Sequence, residues 1–173
     1  MTSILEAYDV QNETVITESI YHQMLDFPKM AKQTDLNYYR FKIFLILTRY
    51  TGLSPAVIAN ATKKDIQLLI NARENTLIWR DRIVTISPEF FALFKIDLKR
   101  FHIGMELVFR TQQTLSGTTH MSNWDRFIIN NLERFTRGQP YSLTKRSLRT
   151  AYLTTLFTEL SPEEIWIMVN NSF

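Results

Sequence analysis

The sequence contains no cysteine, which excludes disulfide bonds and thiolate metal sites and favours a reducing compartment. Glycine and proline are scarce, with four and five residues, and so few chain-breaking residues favour helices over a β-sandwich. No apolar run approaches the roughly 20 residues that span a bilayer, since the longest, 43–47 and 165–169, are short. Residues 1–6 lack the basic and apolar regions of a secretory signal. These absences predict an intracellular protein with no membrane partner.

What is present is material for one core. Hydrophobic residues make up 45% of the 173 residues and aromatic residues 13%, which suits a single domain. We expect an N-terminal arm over residues 1–17 and the domain over residues 18–173, without repeats or a linker.

The charge is unevenly distributed. The net charge is only +3, yet residues 134–149 contain five basic side chains and no acidic one, while residues 151–173 contain three glutamates and no lysine or arginine. A local positive patch of this kind attracts phosphates. A solvated helix face explains the same pattern, so charge alone leaves both interpretations open.

The periodicity predicts a mainly α fold with one small antiparallel sheet. Gly52 is well placed as the left-handed C-cap of a central helix, and Ser54, Ser87 and Ser161, each followed by proline, are expected to begin helices. A capping box is expected at Ser161. The predicted helices cover residues 18–25, 36–50, 88–101, 122–135, 143–160 and 162–169. Residues 67–70 are interpreted as a strand, and residues 76–79 and 83–86 as a hairpin that turns through residues 80–82.

Four short motifs occur in a definite order. The first motif, residues 50–53 (YTGL), ends the central helix. A helix follows it, and then residues 62–66, which are expected to lead into a strand. The second motif is the hairpin of residues 75–87. Residues 106–110 (ELVFR) come next, and residues 147–151 (SLRTA) are followed by Glu164 and Ile165 in the next helix. Over residues 18–173 this order resembles the catalytic domain of the tyrosine recombinases, or phage integrases. The resemblance implies that fold, duplex DNA as partner, and no cofactor.

The resemblance also implies a chemistry that needs particular residues. In the family a tyrosine attacks a DNA phosphodiester, two arginines hold the phosphate oxygens, and a hairpin lysine protonates the leaving oxygen. The sequence has Ser54 at the first arginine position, Arg80 or Arg82 in the hairpin, and Arg146 in place of a histidine. Only Arg149 matches. The later histidine or tryptophan position falls near residues 170–171, which are asparagines, and the tyrosine position falls beyond residue 173.

The sequence therefore predicts a DNA-binding protein connected with DNA recombination or integration, a pseudoenzyme that does not cleave DNA alone. It is expected to hold duplex phosphates, largely without base specificity, in the cytoplasm, nucleoid or a DNA-containing organelle. Two alternatives stay open: a recombinase completed by a tyrosine in trans or from a longer chain, and a protein-interaction scaffold. A homo-oligomer or a recombinase partner is compatible with each. The candidate DNA-binding residues are Lys145, Arg146, Arg149, Arg80 and Arg82.

Other residues receive plainer interpretations. The three histidines, His22, His102 and His120, are isolated and predict no metal or catalytic site. Tyr141 and Tyr152 are interpreted as packing residues. Arg149 is expected at the edge of a buried stripe formed by Leu153, Leu156 and Leu160. Trp79 and Trp166 are assigned to the core, whereas Trp124 is left unassigned. Residues 170–173 are interpreted as a frayed end or as a segment that docks on a partner.

Overall fold

A computed structural model describes residues 16–29, 33–109, 117–161 and 164 of the chain. Within these ranges it contains eight α-helices, a 3-10 turn over His102–Gly104 and one two-stranded antiparallel sheet, which confirms the mainly α fold with a small sheet. The helices are α1 Glu18–Asp26, α2 Asp35–Thr51, α3 Pro55–Ala59, α4 Lys63–Ile70, α5 Phe91–Arg100, α6 Met105–Val108, α7 Gly117–Thr136 and α8 Lys145–Leu156, and the strands are β1 Thr76–Trp79 and β2 Arg82–Thr85.

The central helix is α2. It contacts α1, α3, α5, α6 and α8, and every side chain from residue 41 to residue 51 is buried. From residue 41 to residue 47 the helix is apolar on nearly all sides, which is what a helix surrounded by other helices requires. Gly52 ends α2 in the left-handed conformation, with φ of 70°, and its N–H donates to the Thr48 carbonyl. The predicted C-cap is confirmed.

A buried lysine connects α2 to α1. Lys42 is 1% exposed, and its Nζ donates to the carbonyls of Met24 and Phe27 at 2.6 and 2.7 Å, where α1 ends. The rings of Phe27, Tyr38 and Phe41 lie 5.4–5.9 Å from Nζ. These contacts partly compensate for the lost hydration. Burial still dominates and lowers the pKa of Lys42 to about 7.

The predicted hairpin is confirmed with a tighter turn than expected. Thr76 pairs with Thr85 and Trp79 with Arg82, so the turn consists of Arg80 and Asp81 alone. Both have positive φ, 46° and 65°, as a two-residue type I′ turn requires. Arg82 is therefore a strand residue, whereas the sequence placed it in the turn.

The prediction of a strand over residues 67–70, with residues 62–66 leading into it, is wrong. These residues belong to α4, whose first turn is fixed by a capping box. The Thr62 hydroxyl accepts from the Asp65 N–H, and the Asp65 carboxylate accepts from the Thr62 N–H. Ile66 and Leu69, one turn apart, enter the core.

The prediction that each of the three serine–proline pairs begins a helix is met differently at each pair. Ser54 caps α3 as predicted, since its hydroxyl accepts from the Val57 N–H. Ser87 does not begin a helix, because residues 88–90 form a turn and α5 starts at Phe91. Ser161 forms the predicted capping box with Glu164, with both reciprocal hydrogen bonds present.

Several predictions fall outside what the structure describes: the helix over residues 162–169, Trp166, the side chain of His120, residues 170–173 and most of the arm over residues 1–17. At the end of that arm, Ile16 is buried and the Thr17 hydroxyl caps α1. Helix α8 ends at Leu156, four residues earlier than predicted, and α7 begins at Gly117, five residues earlier. None of the helices in the described ranges is long and apolar enough to cross a membrane.

Candidate functional site

The end of α2, the start of α3 and the first turns of α8 surround a cavity of about 550 Å³. Its polar wall brings together the position where the family would have its first arginine and all three predicted cations of α8. The apolar wall comes from the α2–α3 turn, α3 and α8. The polar wall includes Ser54, Asp125, Lys145, Arg146 and Arg149, and the apolar wall includes Leu53, Pro55, Ala56 and Leu148.

A glycine and a tyrosine set the position of α8 beside this cavity. A β-carbon at Gly52 would lie 2.4 Å from the ring of Tyr152, so the two helices approach this closely only because residue 52 has no side chain. The Tyr152 hydroxyl donates to the Thr85 carbonyl at 3.0 Å. Tyr152 thus contacts the end of α2 and the end of β2 at once, and it fixes α8 relative to both.

The same contacts show why Tyr152 is a packing residue. Its hydroxyl is committed to a backbone carbonyl, and burial raises its pKa even though Arg149 acts in the opposite direction. A raised pKa keeps the hydroxyl protonated, which is the opposite of an activated nucleophile. Among the residues that the structure describes, no tyrosine lines the cavity.

The expected position of Arg149 on α8 needs correction. The buried face of α8 runs through Ser147, Leu148, Ala151 and Thr155, which follow helical spacing. The predicted stripe of Leu153, Leu156 and Leu160 is wrong, because the first two are half-buried and Leu160 is 37% exposed. Arg149 is exposed and faces the cavity.

A second, smaller cavity of about 230 Å³ also lies beside α3. Ala56, Val57 and Asn60 of α3 form one wall, and Arg80, Asp81 and Arg82 of the hairpin form the other. Ala56 lines both cavities. The hairpin arginines and the α8 cations, distant in sequence, therefore border one short helix.

Carboxylates contact Lys145 and Arg80. The Lys145 Nζ lies 3.0 Å from both carboxylate oxygens of Asp125, and the Arg80 Nε lies 3.5 Å from an oxygen of Asp65. Asp125 and Asp81 line the cavities themselves, so with Asp65 three carboxylates lie beside the five cations. The surplus is positive and local, as anion binding requires.

Asp65 anchors the hairpin to α4. Its carboxylate completes the α4 capping box and pairs with Arg80, and its carbonyl accepts from the buried indole of Trp79 at 2.7 Å. The tip and the inner face of the hairpin are thus held by one residue of α4.

Other candidates from the sequence are not brought together. His22 pairs with Glu18, and the His102 ring contacts the Lys99 carbonyl. Within residues 16–29, 33–109 and 117–161, no group of three or more His, Cys, Asp and Glu side chains could hold a metal ion. Tyr141 packs against the core as predicted.

Sequence reasoning missed Asp125, and also a polar cluster inside the fold. Tyr21 and Tyr50 both donate to one oxygen of Asp97, at 2.7 and 3.0 Å, and the Arg49 guanidinium stacks 4.1 Å from the Tyr21 ring centre. Burial raises the pKa of Tyr50 to about 12. Tyr50 and Arg49 occur in the apolar α2 segment, where a polar residue was a usable signal for a buried partner. Trp124, unassigned from the sequence, is 2% exposed.

Comparison of the chain with models of known protein families, with curated proteins and with solved structures finds no significant match.

Proposed function

We propose that the protein binds duplex DNA through its phosphates at the two adjoining cavities beside α3, and that it does not cleave the strand it holds. We further propose that its fold is that of a tyrosine recombinase catalytic domain with an altered active site, and that it acts in DNA recombination or integration. One observation carries the proposal. The basic residues of the hairpin and of α8 line adjoining cavities that meet at Ala56.

The chemistry of the site suits a phosphodiester. Arg146 and Arg149 lie three residues apart on α8 and line one cavity, and a guanidinium offers a planar pair of donors to phosphate oxygens. Contacts to phosphates fix a protein on the duplex but carry no base sequence. Binding of this kind is expected to depend strongly on salt and weakly on sequence.

The same geometry supports binding without cleavage. Ser54 places a hydroxyl, committed to capping α3, where the family has an arginine. A guanidinium in the hairpin is a poor general acid, because arginine does not deprotonate in proteins. Tyr152, adjacent to the site, donates its hydroxyl to a backbone carbonyl. The arrangement holds an anion and supplies no activated nucleophile from the described residues that line it.

Filter binding of a duplex of about 30 base pairs across a salt series tests the proposal. The slope of log affinity against log salt reports released counterions, about 0.9 for each phosphate neutralised. The double variant Arg146→Ala/Arg149→Ala should lower this slope by about 2. The control Lys99→Ala/Arg100→Ala removes the same charge from the last turn of α5, outside both cavities, and should change the slope much less.

Two results would contradict the proposal: no DNA binding by the wild-type protein at low salt, or an equal loss in both double variants. The second result would mean that net charge, and not the cavity, determines binding.

A second candidate, a protein-interaction role, is favoured by one surface feature. Ile78 and Ile83 face each other across the hairpin and are 80% and 74% exposed. An exposed apolar pair on a rigid hairpin suits a protein partner. If the double variant Ile78→Thr/Ile83→Thr abolishes association with another protein and leaves DNA binding intact, this role is supported. Unchanged association would contradict it.

A further inference from the structure

The cavity beside α8 contains a carboxylate that opposes the ligand proposed for it. Asp125 reaches the cavity from α7, and both of its oxygens lie 3.0 Å from the Lys145 Nζ. The two side chains are 39% and 51% exposed, so water reaches the pair. Asp125 therefore neutralises one of the three α8 cations in the absence of a bound anion.

Such a pair can exchange partners at low cost. Exposed ion pairs contribute little to stability, because water and salt compete for both charges. A phosphate that binds between Arg146 and Arg149 is a second anion that Lys145 can contact in place of the Asp125 carboxylate. The exchange leaves Asp125 beside the phosphate, and two like charges at close range disfavour each other.

We propose that Asp125 is the residue that sets the affinity of this cavity for phosphate, because it competes with the ligand for Lys145. This inference rests on the proposed DNA binding. When a DNA phosphate is bound, Lys145 contacts the phosphate in place of Asp125, and the carboxylate weakens the complex. Asp125 thus limits the protein to ligands that bring several phosphates at once, as a nucleic-acid backbone does.

The variant Asp125→Asn tests this directly, since asparagine has nearly the same size and no charge. On a duplex of about 30 base pairs it should bind up to about fivefold more tightly than the wild type, the upper end of what one exposed ion pair contributes. Its salt slope should rise by up to about 0.9, because in the wild type the carboxylate that Lys145 releases takes up a cation, which offsets the counterion that Lys145 displaces from the phosphate.

The matched control is Asp35→Asn. Asp35 is exposed, pairs with Lys29 and begins α2, whereas the cavity lies at the other end of that helix, about 25 Å away at 1.5 Å per residue. This variant changes the net charge equally and should alter DNA affinity by less than about twofold. An equal gain in both variants would overturn the inference.

A second background separates competition for Lys145 from simple repulsion. In Lys145→Met, the further change Asp125→Asn should lose most of its fivefold effect and all of its effect on the salt slope. If the full gain in affinity and slope persists without Lys145, the competition does not exist. Far-UV circular dichroism of each variant checks that α7 and α8 remain folded.

The outcomes also distinguish this inference from the function on which it rests. If the wild type binds DNA and loses binding in Arg146→Ala/Arg149→Ala, but Asp125→Asn changes nothing, only the role of Asp125 is overturned. If neither the wild type nor Asp125→Asn binds at low salt, both are overturned.

Discussion

The stability of the protein should rise with pH from about pH 7 to about pH 9, because of Lys42. The folded protein releases the Lys42 proton near pH 7, whereas an ordinary lysine, as in the unfolded chain, keeps it until the pH nears 10.5. Between these values the unfolded state binds more protons, so the free energy of unfolding increases with pH. Each pKa unit corresponds to about 1.4 kcal/mol, which gives a gain of about 2 kcal/mol over this range.

The structure explains why the two hydrogen bonds of Lys42 survive deprotonation. A neutral amine retains two N–H groups, enough to donate to both the Met24 and Phe27 carbonyls. The upper limit is set by Tyr21 and Tyr50. Burial raises the pKa of both phenols, so the folded protein retains their protons above about pH 10 and stability falls there.

Urea unfolding at several pH values, followed by the fluorescence of the buried Trp79 and Trp124, measures this effect. Lys42→Met should abolish the rise between about pH 7 and pH 9. Lys64→Met, at an exposed position on α4, should retain it. A flat stability profile in the wild type, or the same rise in Lys42→Met, would refute the reasoning.

Three further predictions concern the elements around the cavity. Gly52→Ala should destabilise the protein by well over 1 kcal/mol and weaken DNA binding, because it adds a clash with the Tyr152 ring to the strain of a positive φ. The control Gly138→Ala has φ of 83° and no atom within 4 Å of the new methyl group, so it should cost only about 1 kcal/mol and leave DNA binding unchanged. Denaturation and filter binding measure the two effects. Tyr152→Phe should cost about 1 kcal/mol in urea unfolding, because the Thr85 carbonyl loses its donor; an unchanged midpoint would contradict this. Ser54→Arg should lose up to about 1 kcal/mol with its helix cap yet raise the salt slope of DNA binding by about 0.9, and a lower slope would count against a phosphate in the cavity.

The elements predicted correctly are those whose signals are local. The apolar residues 41–47 of α2 predict a helix that other helices surround. Gly52 directly follows the helix, which is the position where a left-handed glycine cap is common. The incorrect prediction of a strand over residues 67–70, which belong to α4, was avoidable. Thr62 and Asp65 have the spacing of a capping box, but the apolar residues after them were interpreted as a strand.

The site was predictable in part. The basic residues of α8 and the hairpin could be identified from charge and from the motif order, because these are properties of the sequence. Asp125 could not, because its pairing with Lys145 depends on how α7 and α8 pack. The position of Arg149 on α8 was predicted incorrectly because the buried face of α8 also depends on packing. That face includes Ser147 and Thr155, which are buried although they are polar, so the apolar pattern of the sequence does not identify it.

The contacts of Asp65 couple the local unfolding of the hairpin to that of α4. One residue closes the first turn of α4, accepts the Trp79 indole and pairs with the hairpin tip. Local opening of the hairpin must then break contacts that also support α4, so the two elements form a single cooperative unit. The amide protons of β1, β2 and α4 should exchange with solvent at one shared opening free energy. Arg80 and Arg82 therefore keep their positions relative to α4 until the hairpin and α4 open together.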